Sequence, residues 1–260
     1  MLYIVTALKF EALPIIKKYN LKKTEDKMKI YKNENITLII SGIGKINSAI
    51  SVAYLNNNKN DKILNIGIAA TSNSKIYKKD EIYLINEIYD EEIQKNYYPE
   101  IFYEINELEG KIVTKSRIQK EKIKYPIMID MESSGFYQSA KKFYKSENIF
   151  IIKYISDILE ETIDYEVIKK NYINNFEKII KIIEILIKND EKIEDIENIK
   201  DKIEQIVEKT SFTKYQKLEL KNLLTYHYLK YKNIPQLKSS EISEKRERNK
   251  LFYEIKKEII

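Results

Sequence analysis

The chain contains no cysteine and a single histidine among its 260 residues. Without cysteine it can form no disulfide and offers no thiolate to a metal ion, and this favours a cytoplasmic location. The one histidine, His227, lies in a helical stretch, and we expect neither a histidine-based triad nor a multi-histidine zinc site. Acid–base chemistry is therefore expected to depend on carboxylates, lysine or tyrosine.

Long apolar runs are also absent. No stretch of the sequence reaches the roughly 20 apolar residues that a membrane span needs, and the N-terminus begins with a predicted strand instead of a signal peptide. The net charge of +6 is concentrated near the C-terminus, where residues 211–260 hold twelve Lys/Arg and six Asp/Glu. A basic segment can bind nucleic acid or an acidic partner, but a solvated helical face is the simpler interpretation.

Apolar runs that alternate with helical patterns predict an α/β fold with a largely buried sheet for the first part of the chain. All five glycines precede residue 163. From there the pattern predicts one long amphipathic helix to about residue 187, followed by three further helices. We therefore predict two domains, an α/β domain at 1–190 and an all-helical extension of unknown role at 191–260.

Acidic side chains follow three predicted strands. Glu11 comes after the run 2–7, Glu132 after the run 125–130, and Asp157 after the run 149–156. Each acid alone is most simply a cap or a surface residue. Three acids at one sheet edge indicate a site, because ligands of open α/β sheets bind outside the carboxyl ends of the strands. Carboxylates suit cleavage of a glycosidic bond, since they stabilise an oxocarbenium-like transition state, protonate the leaving group and activate water.

The run IDMESS predicts the directions in which its side chains point. Alternation along a strand would point Asp130 and Glu132 to one side and Met131 to the other, unless the strand has turned by then. Ser133 or Ser134 is predicted to cap the helix that follows.

Five segments occur in the order and approximate spacing of the nucleoside phosphorylase superfamily, and the chain most resembles its methylthioadenosine/S-adenosylhomocysteine nucleosidase branch. They read IVTALKFEA, SGIGKINSA, NIGIAA, IDMESSGFYQSA and IIKYISD. The resemblance covers about residues 1–188 and implies a three-layer α/β domain with a mixed central sheet. It also implies hydrolysis of the N-glycosidic bond of a purine nucleoside or related metabolite, without metal or organic cofactor, by a homo-oligomer.

The resemblance carries roles to individual positions. Glu11 matches the acid that orients the attacking water. Asp157 matches the general acid that protonates N7 of the purine, and Ser156 steadies it. Glu132 matches the acid that binds the ribose hydroxyls, and Met131 packs beside the sugar.

Two segments depart from the family pattern. One reads GIAAT from Gly67, so that Ile68 and Ala70 replace a small polar and a glycine position where the backbone approaches the ligand. Ile118 stands near the place where the nucleosidases have an aromatic residue beside the base. These changes concern the substrate more than the fold.

Two other functions compete with hydrolysis. A phosphorylase on the same scaffold would need cations for phosphate, and Arg117 and Lys45 are the candidates, but Glu11 would repel phosphate. A catalytically weak protein that senses a ligand or associates with nucleic acid would explain the altered segments and the basic helices. The three acids argue against it. The aromatic segment 96–104 is a candidate lid over the pocket.

Overall fold

The structure is a computed structural model of the chain. It describes residues 1–55, 58–100, 108–118, 127–159, 164–188, 191–231, 233–235 and 245–259. The chain forms two compact units, Met1–Lys188 and Asn189–Ile260. That these units are independently folding domains stays a prediction.

The first unit combines a sheet with five helices in its described residues. The strands are β1 (Leu2–Thr6), β2 (Lys22–Lys23), β3 (Lys29–Lys32), β4 (Ile36–Ile40), β5 (Lys62–Thr71), β6 (Ile82–Asp90), β7 (Lys95–Tyr97), β8 (Leu108–Thr114), β9 (Met128–Asp130) and β10 (Ile149–Ile158). The helices are α1 (Lys9–Lys18), α2 (Lys45–Tyr54), α3 (Ser133–Phe143), α4 (Tyr165–Asn174) and α5 (Phe176–Lys188). The short strands β2 and β7 have no counterpart in the sequence-based prediction.

The sheet is mixed. Strand β1 runs parallel to β4 and β5, and β5 runs parallel to β10, whereas β3–β4, β5–β9 and β6–β10 are antiparallel pairs. Because β10 pairs with both β5 and β6, the strands β5, β9, β8, β6 and β10 form a closed circuit of pairings, and β1, β4, β3 and β2 extend from β5. The prediction of an α/β fold with a mixed central sheet is confirmed.

Two hydrophobic clusters lie on opposite faces of this sheet. Along β1, Leu2 and Ile4 belong to one cluster, while Tyr3 and Val5 belong to the other. The first cluster includes side chains of α1, α4 and α5, and the second includes side chains of α2 and α3. Both faces are therefore covered by helices, and this explains why the strands are continuous apolar runs in the sequence.

The prediction of one long helix between 163 and 187 is wrong, because the chain forms two helices there. α4 ends before Asn175, whose backbone angles of φ −95° and ψ 5° lie outside the helical range. The Asn175 side chain donates a hydrogen bond to the carbonyl of Asn171. Asparagine competes in this way for backbone groups and so favours a helix end.

The described part of the second unit consists of α6 (Glu191–Glu208), α7 (Lys214–Tyr231) and α8 (Lys245–Ile259). These helices share a small core of their own, which consists of Ile203, Val207, Phe212, Leu220, Leu224, Phe252 and Ile255. No helix among the described residues of the chain combines the length and apolarity required to cross a membrane.

Candidate active site

A pocket opens at the carboxyl ends of β1, β5, β9 and β10. It encloses about 190 Å³. Six of the seven predicted site residues line it, namely Glu11, Ile118, Met131, Glu132, Ser156 and Asp157. The topology thus brings together acids that are far apart in the sequence.

Glu11 is held by backbone N–H groups at the start of α1. Its Oε2 accepts hydrogen bonds from the backbone N–H of Ala7 at 3.0 Å and of Leu8 at 2.8 Å, and its Oε1 accepts one from Ile68 at 3.0 Å. The bond from Leu8 is the reciprocal half of a helix capping box. Burial nevertheless raises the pKa of Glu11 to about 7, because the carboxyl is only 1% exposed and a second acid, Glu132, lies near it.

Asp157 reaches the pocket through an irregularity in β10. The register with β5 shifts between Ile155 and Asp157, so that Ser156 is an extra residue in the strand. Such a bulge re-aims the side chains beside it. The Ser156 hydroxyl hydrogen-bonds Asp157 and lies 3.3 Å from the carbonyl oxygen of Ala69. Asp157 therefore lies inside the strand, which corrects the prediction that the strand ends before it.

Glu132 and Met131 both line the pocket because the chain turns directly after β9. The strand ends at Asp130, and Glu132 is already the N-cap residue of α3. The strict alternation of side chains therefore does not reach Glu132. Its Oε1 accepts a hydrogen bond from the backbone N–H of Gly44 at 2.9 Å. Gly44 has φ +105°, a conformation that residues with a side chain rarely adopt.

The predicted capping of α3 by a serine is wrong. Ser133 and Ser134 are the first two helical residues, and their hydroxyls donate to carboxylates instead. Ser133 Oγ lies 2.6 Å from Asp130, and Ser134 Oγ lies 2.6 Å from Asp90. Two buried carboxylates, at the ends of β6 and β9, thus fix the start of the helix that follows Glu132.

A buried lysine beneath the pocket has no counterpart in the sequence-based prediction. Lys153, in the middle of β10, is completely buried, and its Nζ lies 2.9 Å from Asp130. Gly67 leaves space for the Lys153 and Glu11 side chains. A side-chain carbon at position 67 would lie 3.2 Å from Lys153 Nζ and 3.4 Å from Glu11 Oε1. Gly67 itself does not line the pocket. The signal in the sequence is a lysine inside a run that is otherwise apolar, IFIIKYIS.

Lys153 sets the electrostatics of three carboxyl groups. Burial alone would raise the pKa of Asp130, but the Lys153 ammonium and nearby hydroxyls hold it below its usual value. Burial and the charge of Asp130 raise the pKa of Glu132, and Lys153 opposes this rise. Burial would lower the pKa of Lys153 itself, yet the surrounding carboxylates raise it. The cluster therefore holds one buried cation among Glu11, Asp130 and Glu132.

The two candidate phosphate-binding cations differ in their surroundings. Lys45 Nζ lies 3.0 Å from Asp90 and also pairs with Glu92. It is thus part of an internal ion-pair network, and its proposed use for an anion is not supported. Arg117 is exposed and lines the pocket beside Ile118, which is 62% exposed.

The candidate lid lies partly outside the described residues, which stop at residue 100 and resume at 108. Within its described part, the carbonyl of Tyr98 accepts a hydrogen bond from the hydroxyl of Tyr137. None of the described residues 96–100 lines the pocket. The lid stays a prediction.

Solved structures of nucleosidases share this fold. The S-adenosylhomocysteine nucleosidase of Streptococcus pyogenes, in complex with 5-methylthiotubericidin, aligns with a TM-score of 0.57 and 15% identity over 72% of this chain and 96% of its own. The 5′-methylthioadenosine nucleosidase of Arabidopsis thaliana gives a TM-score of 0.55 and 16% identity over 70% of this chain and 95% of its own. A futalosine hydrolase mutant of Helicobacter pylori gives a TM-score of 0.56 and 13% identity over 70% of this chain and 98% of its own.

At 13–16% identity, these similarities show a shared fold and nothing more. For the fold, the resemblance found in the sequence motifs is confirmed. No protein-family model matches the sequence, and no curated protein is significantly similar to it.

Proposed function

We propose that this protein hydrolyses the N-glycosidic bond of a purine nucleoside or a related metabolite. The observation that carries the proposal is that Glu11, Glu132 and Asp157 line one pocket. The similar solved structures add support, since their names describe nucleosidases and a futalosine hydrolase.

The three acids divide the reaction between them. Asp157 donates a proton to N7 of the purine as the bond between the base and C1′ breaks, and the Ser156 hydroxyl orients the Asp157 carboxyl. Glu11 orients a water and accepts its proton as the water oxygen bonds to C1′. Glu132 accepts hydrogen bonds from the ribose hydroxyls, and Met131 packs beside the sugar. The negative charges also stabilise the oxocarbenium-like transition state.

Glu11 is suited to take a proton from water near neutral pH. A general base works best when its pKa lies near the operating pH, and burial raises the pKa of Glu11 to about 7. Because the base must be ionised, we expect kcat/KM to rise with pH through about 7.

Hydrolysis is favoured over phosphorolysis by the charges in the pocket. The Glu11 carboxyl lies where it would repel phosphate, and Lys45 is held by Asp90 and Glu92. Arg117 is the remaining candidate cation, and a single exposed guanidinium is a weak phosphate site compared with several arginines and a glycine-rich turn.

The protein is also proposed to form a homo-oligomer through α2. Ile46, Ile50 and Tyr54 recur at helical spacing on α2 and are 76%, 52% and 45% exposed, and Ile43, just before the helix, is 51% exposed. An exposed apolar stripe of this kind is typical of an interface. Ile43 also lines the pocket, so a second copy on this stripe would lie beside the site. A cytoplasmic location stays a prediction from the sequence, and so does the ranking of nucleic-acid binding below other roles for the basic helices.

The proposal is tested by the release of free base from a panel of purine nucleosides, with and without phosphate. We expect release without phosphate by the wild type and its loss in Asp157→Asn. Asp61→Asn, which changes an aspartate that pairs with the N-terminal amine, serves as the control and keeps activity. Release that requires phosphate would make the protein a phosphorylase, and binding without any release would favour a ligand sensor.

A further inference from the structure

Arg117 is unusual among the charged side chains of the pocket. Among the described residues that line the pocket, the acids are Glu11, Asp130, Glu132 and Asp157, and Arg117 is the one positively charged residue. No hydrogen bond or ion pair joins Arg117 to another residue in the part of the chain that the structure describes. With respect to these described residues, its guanidinium is available to a ligand.

The sheet order places Arg117 away from Glu11. Glu11 follows β1, and Arg117 follows β8, with β5 and β9 between these two strands. The register pairs Thr114 at the end of β8 with Asp130 at the end of β9, so the segment that carries Arg117 leaves the sheet beside Met131. Strands β8 and β10 belong to the closed circuit, whereas β1 lies outside it. Around the circuit, β8 lies between β9, which Met131 and Glu132 follow, and β6, the neighbour of β10, which carries Asp157.

The proposed function assigns the base to the β10 side of the pocket, where Asp157 protonates it, and the sugar to the β9 side, where Met131 and Glu132 lie. The attacking water lies on the Glu11 side. Arg117 follows β8, on the way from β9 to β10 around the circuit, and in this arrangement its guanidinium reaches the edge of the purine. The adjacent Ile118 is an aliphatic residue and offers no ring on which the base could stack.

The chemistry of a guanidinium selects among purines. Arginine has five N–H donors and no acceptor. Adenine presents an amino group, itself a donor, at carbon 6, whereas hypoxanthine and guanine present an oxo acceptor there. In DNA recognition, arginine commonly contacts O6 and N7 of guanine together. Here Asp157 protonates N7, so the 6-oxo oxygen is the acceptor left for Arg117. We propose that Arg117 makes the site selective for nucleosides of 6-oxopurines over nucleosides of adenine, a proposal that rests on the proposed function.

The test compares kcat/KM within pairs of nucleosides that differ only at carbon 6. Suitable pairs are inosine with adenosine, and 5′-methylthioinosine with 5′-methylthioadenosine. We expect the wild type to prefer the oxo member of each pair by about 10-fold or more, the effect of one hydrogen bond from a charged group. Arg117→Met should remove this preference by slowing only the oxo member. Arg246→Met, which changes an exposed arginine in α8, is the matched control and should change nothing.

A wild-type preference for the amino member would overturn the proposal. So would an Arg117→Met variant that slows both members equally, because this result would assign Arg117 to ring stacking or to an anionic group elsewhere on the substrate.

Calorimetric titration with free hypoxanthine and adenine separates this proposal from the proposed function. Tighter binding of hypoxanthine that depends on Arg117, in a protein that releases no base, would uphold the selectivity and reject the hydrolase. Release of base with a preference for adenosine would uphold the hydrolase and reject the selectivity. Failure of both bases to bind, together with no preference in the rates, would reject the selectivity.

Discussion

Removal of the buried cation is the perturbation that tests the electrostatics of the site most severely. In Lys153→Met, a side chain of similar length replaces the lysine, and the Asp130 carboxylate loses its partner at 2.9 Å. Breaking a fully buried ion pair by removing one partner costs about 3–5 kcal/mol. For a chain of this size we expect Tm to fall by about 6–20 °C at neutral pH.

The pH dependence of this loss distinguishes an electrostatic role from a packing role. In the wild type the pKa of Asp130 is below its usual value, so the pair contributes stability above the pKa of an unfolded aspartate, and this is lost as pH falls through the folded pKa. In Lys153→Met the pKa of Asp130 should instead be raised, because burial, the largest influence on it, is then opposed only by the hydroxyls of Ser133 and Thr114. The difference in Tm between variant and wild type should therefore shrink between pH 8 and pH 4.

Activity gives a second readout. Lys153 lowers the pKa of Glu11, which burial has already raised to about 7. Its removal should move the rise of kcat/KM with pH to higher pH. Lys62→Met is the matched control, since Lys62 is also buried but its Nζ donates to the carbonyl of Leu186 at 2.6 Å and does not line the pocket. This variant should lose stability and keep the wild-type position of the rise.

The reasoning would be refuted if Lys153→Met kept the stability of the wild type at pH 8, or if its loss of Tm were the same at pH 8 and pH 4. A shift of the activity profile in Lys62→Met as large as in Lys153→Met would also contradict it.

The remaining predictions concern backbone geometry and assembly. Gly135→Ala should lower the free energy of unfolding in urea by about 1–3 kcal/mol or more, because the added carbon would lie 2.2 Å from the backbone oxygen of Lys45. Gly44→Ala should cost about 1–3 kcal/mol through its positive φ, and should raise KM because its N–H holds Glu132; an unchanged KM would count against that role. Ile46→Glu should convert the oligomer into a monomer in light scattering, and a wild type that is already monomeric would contradict the proposed interface.

The main strands and the acids beside them could be predicted because their signals are local. Largely apolar runs such as 63–70, interrupted only by Asn65, predict strands that are buried on both faces, and β5 is such a strand. An acid that follows a run of this kind predicts a position at the sheet edge. Glu11, Glu132 and Asp157 accordingly line one pocket.

The buried polar network could not be predicted because its partners come from distant parts of the chain. Lys153 is adjacent to Asp130 only after β9 and β10 are both paired with β5. Ser133 has the sequence position of a helix cap, but the Asp130 carboxylate at 2.6 Å takes its hydroxyl instead. In both cases the tertiary structure overrides a local preference.

The fate of the water oxygen tests the central claim most directly. The reaction is run in water enriched in ¹⁸O, and the sugar product is analysed by mass spectrometry. The proposed roles of Glu11 and Asp157 predict a free sugar that carries one ¹⁸O at C1′, formed without phosphate and abolished in Asp157→Asn. A sugar phosphate without the label, or release that persists in Asp157→Asn, would contradict the account.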